Sequence, residues 1–143
     1  MRKHTTGVPL DLLKIASSGD HKAQYSVGWH YETGTKVPVD LNEAEKWWVK
    51  SAAGGNASAK LGLGNIAYKR KDLAQAEKWW LESATAGDTA AKRGLALLAR
   101  KRGNLVQAKE WLLNAALAGD AIAQHQLAFF IVRLLECQNR LNG

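Results

Sequence analysis

Histidine stands at positions 4, 21, 30 and 125, and the chain holds a single cysteine, Cys137. Zinc centres need three or four such ligands brought to one point, commonly as closely spaced Cys or His pairs. None of these histidines has a cysteine or carboxylate cluster at that spacing, so neither a metal nor any other cofactor is expected. His30, Tyr31 and Glu32 have the form of the His-x-Glu of zinc deaminases, but the Cys-x-x-Cys that completes such a site is missing. GLGNIA, from Gly62 to Ala67, fits the dinucleotide fingerprint letter by letter. That fingerprint works as a strand-to-helix turn. Here no strand pattern precedes it, and its small residues read instead as close helix packing. The chain also shows no phosphate loop, serine elbow or Cys–His nucleophile pair. Catalysis is therefore not expected.

Recognition chemistry is better represented. Twenty Lys and Arg against thirteen Asp and Glu give a net charge of +7. The basic residues cluster as Lys69, Arg70 and Lys71, again as Arg100, Lys101 and Arg102, with Lys36 in a corresponding place. Such a ridge can be a solvated face, a docking edge for an acidic partner, or a nucleic-acid contact. Against nucleic acid, most of the aromatics occupy positions where no base could stack on them. The lone cysteine excludes an intrachain disulfide and suits a reducing compartment. MRKHTTGVPL has no apolar run behind its basic residues, and the longest apolar stretch, LAFFIV, is too short to span a bilayer. A cytoplasmic protein with no membrane partner is expected, and the Asn56-Ala57-Ser58 acceptor triplet should go unglycosylated.

The elements that carry these residues recur. AEKWW begins at Ala44 and again at Ala76, and AKEWL begins at Ala108, 32 residues apart each time. Gly19-Asp20, Gly55-Asn56, Gly87-Asp88 and Gly119-Asp120 keep step with them, as do Ala23, Ala59, Ala91 and Ala123. A period of this length is the mark of stacked repeats. Each unit reads as two helices. Asp40, Asp72 and Asn104 are N-caps for the tryptophan-bearing helix, and the glycine of each Gly-Asx pair is its left-handed stop. Ala44, Trp47, Trp48, Ala76, Trp79, Trp80, Ala108 and Trp111 fall on apolar stripes. No unit can cover its stripe alone, so these residues should form the seams between units. The first unit is four residues longer, in the stretch from Thr33 to Asp40, where Gly34 and Pro38 act as turn residues.

The first unit, AQYSVGWHYETGTKVPVDLNEAEKWWVKSAAGGN, resembles a Sel1-like repeat, a relative of the tetratricopeptide repeat, at Ala23, Val27-Gly28, Tyr31, Gly34, Val37-Pro38, Asp40, Ala44, Trp47, Ala52 and Gly55. The resemblance runs from about Leu10 to Leu135. Later units lack the Gly-rich loop and replace the aromatic of Tyr31 by Ala67, Ala99 and Ile131. The expected fold is an all-α, right-handed α/α solenoid of eight helices forming one domain. Its parts are a half repeat at 1–19, repeats at 20–55, 56–87 and 88–119, and a half repeat at 120–143.

The resemblance implies a non-catalytic adaptor or regulator that binds a partner protein or peptide. An immunity protein that neutralises a bacterial toxin by stoichiometric binding is the alternative, and nucleic-acid binding ranks last. If the superhelix curves as in tetratricopeptide relatives, Trp29, Asn65, Leu97 and Phe129 face its concave side with Tyr25, Tyr68, Arg93 and Arg100. Trp29 is the one tryptophan outside the pentads and a natural anchor, because aromatic and arginine residues dominate hot spots. Arg70 and Arg102 represent the basic ridge, which would meet an acidic partner. The last helix carries Leu127, Phe129, Phe130, Ile131, Val132, Leu134 and Leu135 nearly all round its wheel. Its outer side, expected to show Phe130 and Leu134, should serve self-association or partner docking, unless the helix bends or the QNRLNG tail folds back to cover it.

Overall fold

The computed structural model describes residues 7–143, and among them are eight α-helices and no strand. His4 and the basic residues at the N-terminus lie outside the described residues. The helices are α1 (Leu10–Ser17), α2 (His21–Thr33), α3 (Leu41–Ala53), α4 (Ala57–Lys69), α5 (Leu73–Thr85), α6 (Thr89–Lys101), α7 (Leu105–Leu117) and α8 (Ala121–Asn142). They divide between two compact units, one up to Ser83 and the other from Ala84.

Helix starts follow directly from the sequence. The side chains of Asp20, Asp40, Asn56, Asp72, Asp88, Asn104 and Asp120 each accept a hydrogen bond from the amide three residues on, at 2.8–3.1 Å. Each satisfies one of the amides that a helix start leaves without an intrahelical acceptor. Helix ends use Gly19, Gly55, Gly87 and Gly119, all left-handed with φ between 92° and 106°. The turn after α4 reaches the same region with a non-glycine residue, Lys71, at φ 66°.

In the first unit α1 packs on α2, α2 on α3 and α3 on α4. One core cluster joins Ala16, Ala23 and Val27, with Trp47 packed at its edge. Another joins Ala44, Trp48, Ala59, Leu63 and Ile66, with Tyr25 and Trp79 at its edge. Ser51 Oγ donates to the carbonyl of His21, and Ser83 Oγ donates to that of Ala57 at 2.8 Å, so each tryptophan-bearing helix is also pinned by a buried hydroxyl. In the second unit α6 packs on α7 and α7 on α8. Its cluster holds Ala96, Leu112, Ala115 and Ala123, with Trp111 and Leu127 alongside. Here the serine position is Ala115, and no hydroxyl is present.

Within each pentad the two aromatic positions differ. Ala44, Ala76 and Ala108 are fully buried, and so, very nearly, are Trp48, Trp80 and Leu112. Trp47, Trp79 and Trp111 are half-buried at the margins, and the ammonium of Lys50 lies 4.6 Å from the Trp47 ring. Adjacent residues project about 100° apart on a helix, so only one of the pair can point into the interior.

Candidate functional site

Trp48 sets the floor of a groove between α2 and α4. Its Nε1 donates to the Tyr25 carbonyl at 3.0 Å, and its ring stacks on Tyr25 with centroids 5.8 Å apart. Gly28 and Gly62 lie against its two edges, where a Cβ on either would collide with ring atoms of the indole. Trp80 repeats the pattern on α4. It lies against Gly64, tilts against Tyr68 at 5.6 Å and donates from Nε1 to Asn65 Oδ1 at 3.1 Å. Three residues expected to contact a partner, Tyr25, Asn65 and Tyr68, are therefore engaged in holding the two buried indoles. Trp29 is 42% exposed at the mouth of the first groove, edge-on to His30. With Trp48 as floor and Glu32 and Lys69 beside it, that groove encloses about 220 Å³.

The corresponding groove between α6 and α8 is much larger, about 520 Å³. Its floor residue is Leu112, where the two earlier pentads have tryptophan. Leu105 of α7 and Phe129, Phe130 and Leu134 of α8 supply apolar walls. Arg100 of α6 with His125, Gln126 and Arg133 of α8 supply the polar lining, and Arg133 lies 5.8 Å from the Phe129 ring centroid.

Phe130 and Leu134, expected on the outer side of α8, line this groove, and Leu134 remains 45% exposed. Ala123, Leu127, Phe130 and Leu134 follow the i, i+4, i+7, i+11 spacing of a single helical face; Ala123 and Leu127 pack in the core cluster, and Phe130 and Leu134 line the groove. Ile131, Val132 and Leu135, each 43–56% exposed, do not line the groove. The QNRLNG stretch does not fold back over them, because α8 continues through Asn142. Arg93, expected at a binding surface, pairs with Asp120, Nε to Oδ2 at 3.1 Å. Burial pushes the Asp120 carboxyl up, but the Ala123 amide, the Thr89 hydroxyl and the Arg93 guanidinium outweigh it and hold its pKa below the ordinary value.

The basic clusters fare differently from one another. Arg70 Nη1 meets Glu45 at 2.7 Å, its Nη2 donates to Asn42 at 2.7 Å, and Lys69 lies 3.7 Å from Glu32. Those cations are shared with carboxylates of the same unit. Arg102 ends α6 as its C-cap residue, and Arg100, in the last turn of α6, lines the large groove. Sequence reasoning missed Leu105, Leu112, His125 and Arg133 as groove residues. The signal available was the change from AEKWW to AKEWL, which removes an indole from the floor. Among the described residues no cluster of His, Cys, Asp and Glu could hold a metal ion, and no helix is long and apolar enough to cross a membrane.

The Sel1 repeat family model matches residues 21–56, 59–88 and 92–120. Among solved structures, a Sel1 repeat protein from Oxalobacter formigenes is similar at 32% identity and a TM-score of 0.69, over 83% of this chain and 96% of that one. A protective antigen present in uropathogenic Escherichia coli strains, displaying an SLR fold, is similar at 32% identity and a TM-score of 0.79. That match covers 86% of this chain but only 28% of the antigen. No curated protein matches the chain. The architecture is an all-α solenoid of repeats, each a helix pair in phase with its sequence period.

Proposed function

The chain belongs to the Sel1 repeat family, and from that premise we propose that it is a non-catalytic module that binds a partner protein through its helical surface, as an adaptor or regulator in the cytoplasm. The observation that carries this reading is the run of three matched repeats, because repeats of this family generally mediate protein–protein interaction. The remaining features support it. The buried tryptophans are absorbed in packing, while Trp29 and Phe129, at the same register of the first and last units, remain 42% and 61% exposed. Exposed aromatics on a rigid scaffold are the usual anchors of an interface.

The test is site-specific photo-crosslinking in the native host with a benzophenone amino acid at Trp29 and, separately, at Phe129. A discrete adduct with one protein, reproduced as a stoichiometric complex by calorimetry, is expected. A chain that yields no adduct from either position is not a binding module of this kind. The exposed run of Ile131, Val132 and Leu135 on α8 supports self-association as a second use of the surface. Sedimentation velocity of the parent and of Val132→Glu/Leu135→Glu tests it, and a parent that stays monomeric at high micromolar concentration overturns it.

A further inference from the structure

We propose that the groove between α6 and α8 is the docking site for a short partner segment that presents a large apolar side chain flanked by carboxylates. This deepens the protein-binding reading and rests on it. The groove exists because Leu112 stands where Trp48 and Trp80 stand in the other repeats. The equivalent groove floored by Trp48 has less than half the volume, about 220 against 520 Å³. The missing indole leaves a slot with Leu112 at its base and Leu105 and Phe129, 50% and 61% exposed, at its lips. Apolar surface held open in this way gains free energy only when something apolar fills it.

The rim defines the rest of the ligand. Arg100 and Arg133 both line the groove, no Asp or Glu does, and neither arginine forms a salt bridge among the described residues. Arg70 and Arg93, by contrast, are each matched to an internal carboxylate. A guanidinium presents a planar fork that fits a carboxylate through two parallel bonds. Two such forks beside an apolar slot read a leucine, isoleucine or phenylalanine with Asp or Glu next to it. A second copy of this chain is disfavoured by its net charge of +7, which sets like charge against like. A nucleic-acid strand would meet the arginines but has no aliphatic group for the slot.

The full chain should be screened against a random-sequence peptide array and the selected peptides measured by fluorescence anisotropy. Selected sequences should combine a large apolar residue with Asp or Glu. Binding should weaken at least tenfold in Arg100→Glu/Arg133→Glu, with a shallower salt dependence. It should also weaken at least tenfold in Ala96→Gly/Leu112→Trp/Gln126→Gly, which rebuilds the floor in the manner of Gly28, Trp48 and Gly62. If that refilled variant melts early, the charge-reversed variant, which touches no core residue, decides alone. An empty screen, selected peptides without acidic residues, or unchanged binding in the charge-reversed variant overturns the proposal. If the crosslinked native partner binds equally well after charge reversal, this groove is excluded while protein binding stands. Failure of every crosslink sinks the broader reading instead.

Discussion

The indole of Trp48 occupies the space that a side chain on Gly28 would need: Cδ1 and Nε1 of the ring are the atoms that a Cβ there would strike. Gly64 and Trp80 stand in the same relation one repeat on. In the third repeat the register of Gly28 and Gly64 carries Ala96, and the residue in its cluster is Leu112. A methyl group is present where the indole is absent. Helix–helix distance in these repeats is thus set by a complementary pair on adjacent helices, and each half of the pair constrains the other.

Gly28→Ala should therefore destabilise the chain by about 1–3 kcal/mol through overpacking, despite alanine's better helix propensity. Adding Trp48→Leu should relieve the collision, so that the double variant is less destabilised than the sum of the singles. Urea denaturation of all four proteins measures the coupling. Costs that add to within about 0.5 kcal/mol would show that the two residues do not meet.

Trp80→Ala should cost about 3–5 kcal/mol, as truncation of a buried aromatic does. Trp79→Ala, at a half-buried position beside Lys78, should cost clearly less. Thermal melts of the two variants side by side check the ranking, and equal losses would contradict the burial pattern.

The seven caps, the helix-ending glycines and the phase of the repeat are all legible in the sequence, because each rests on contacts within a few residues. The choice between Trp79 and Trp80 is not local. It depends on which indole finds glycines opposite, as Trp48 finds Gly28 and Gly62 on two different helices. The sequence does hold that clue, since glycine at 28 and 64 changes to alanine at 96 just as the tryptophan changes to leucine at 112. The face carrying Phe130 and Leu134 was also readable, from their helical spacing to Ala123 and Leu127. The pairings Arg93–Asp120 and Arg70–Glu45 were not, because their partners lie 27 and 25 residues away on other helices.

Asp120 caps α8 and receives Arg93. Asp120→Ala should cost at least about 1 kcal/mol from the cap alone, while Asp120→Asn keeps the capping oxygen and loses the charge. With the folded pKa depressed, the ionised form contributes stability in full above the unfolded value near 3.9. That contribution is lost as pH falls through the lower folded value. The melting temperatures of the parent and Asp120→Asn should thus differ at neutral pH and converge in acid, once pH falls below the depressed folded value. A gap that persists unchanged in acid would remove the charge from the explanation.

Lys71 holds a left-handed backbone, φ 66°, where the next repeat has Gly103 at φ 77°. A side chain in that region is strained, so Lys71→Gly should be neutral to stabilising by up to about 1 kcal/mol. Lys71→Val should be destabilising, since branching at Cβ worsens the same contact. Melting temperatures of the three proteins give the order, and a valine variant as stable as the glycine one would overturn it.

The Gly-Asx junctions have a consequence for how such a chain can change its length. At Gly19-Asp20, Gly55-Asn56 and Gly119-Asp120, one residue turns out of a helix and the next opens another. The amide of the second also reaches back to the carbonyl of Ile15, Ser51 or Ala115. Added residues there would separate a stop from the start it is fused to. The other corners are not fused: seven residues join α2 to α3, whereas three join α4 to α5 and α6 to α7. All three still close with the same backbone bond, Asp40 to Tyr31, Asp72 to Ala67 and Asn104 to Ala99, each at 2.9 Å. The longer excursion from Gly34 to Val39 is spliced in ahead of an unchanged clasp. Foreign loops inserted after Thr35 should be carried as passengers with the helices still in phase, which makes this corner the natural place to display new sequence.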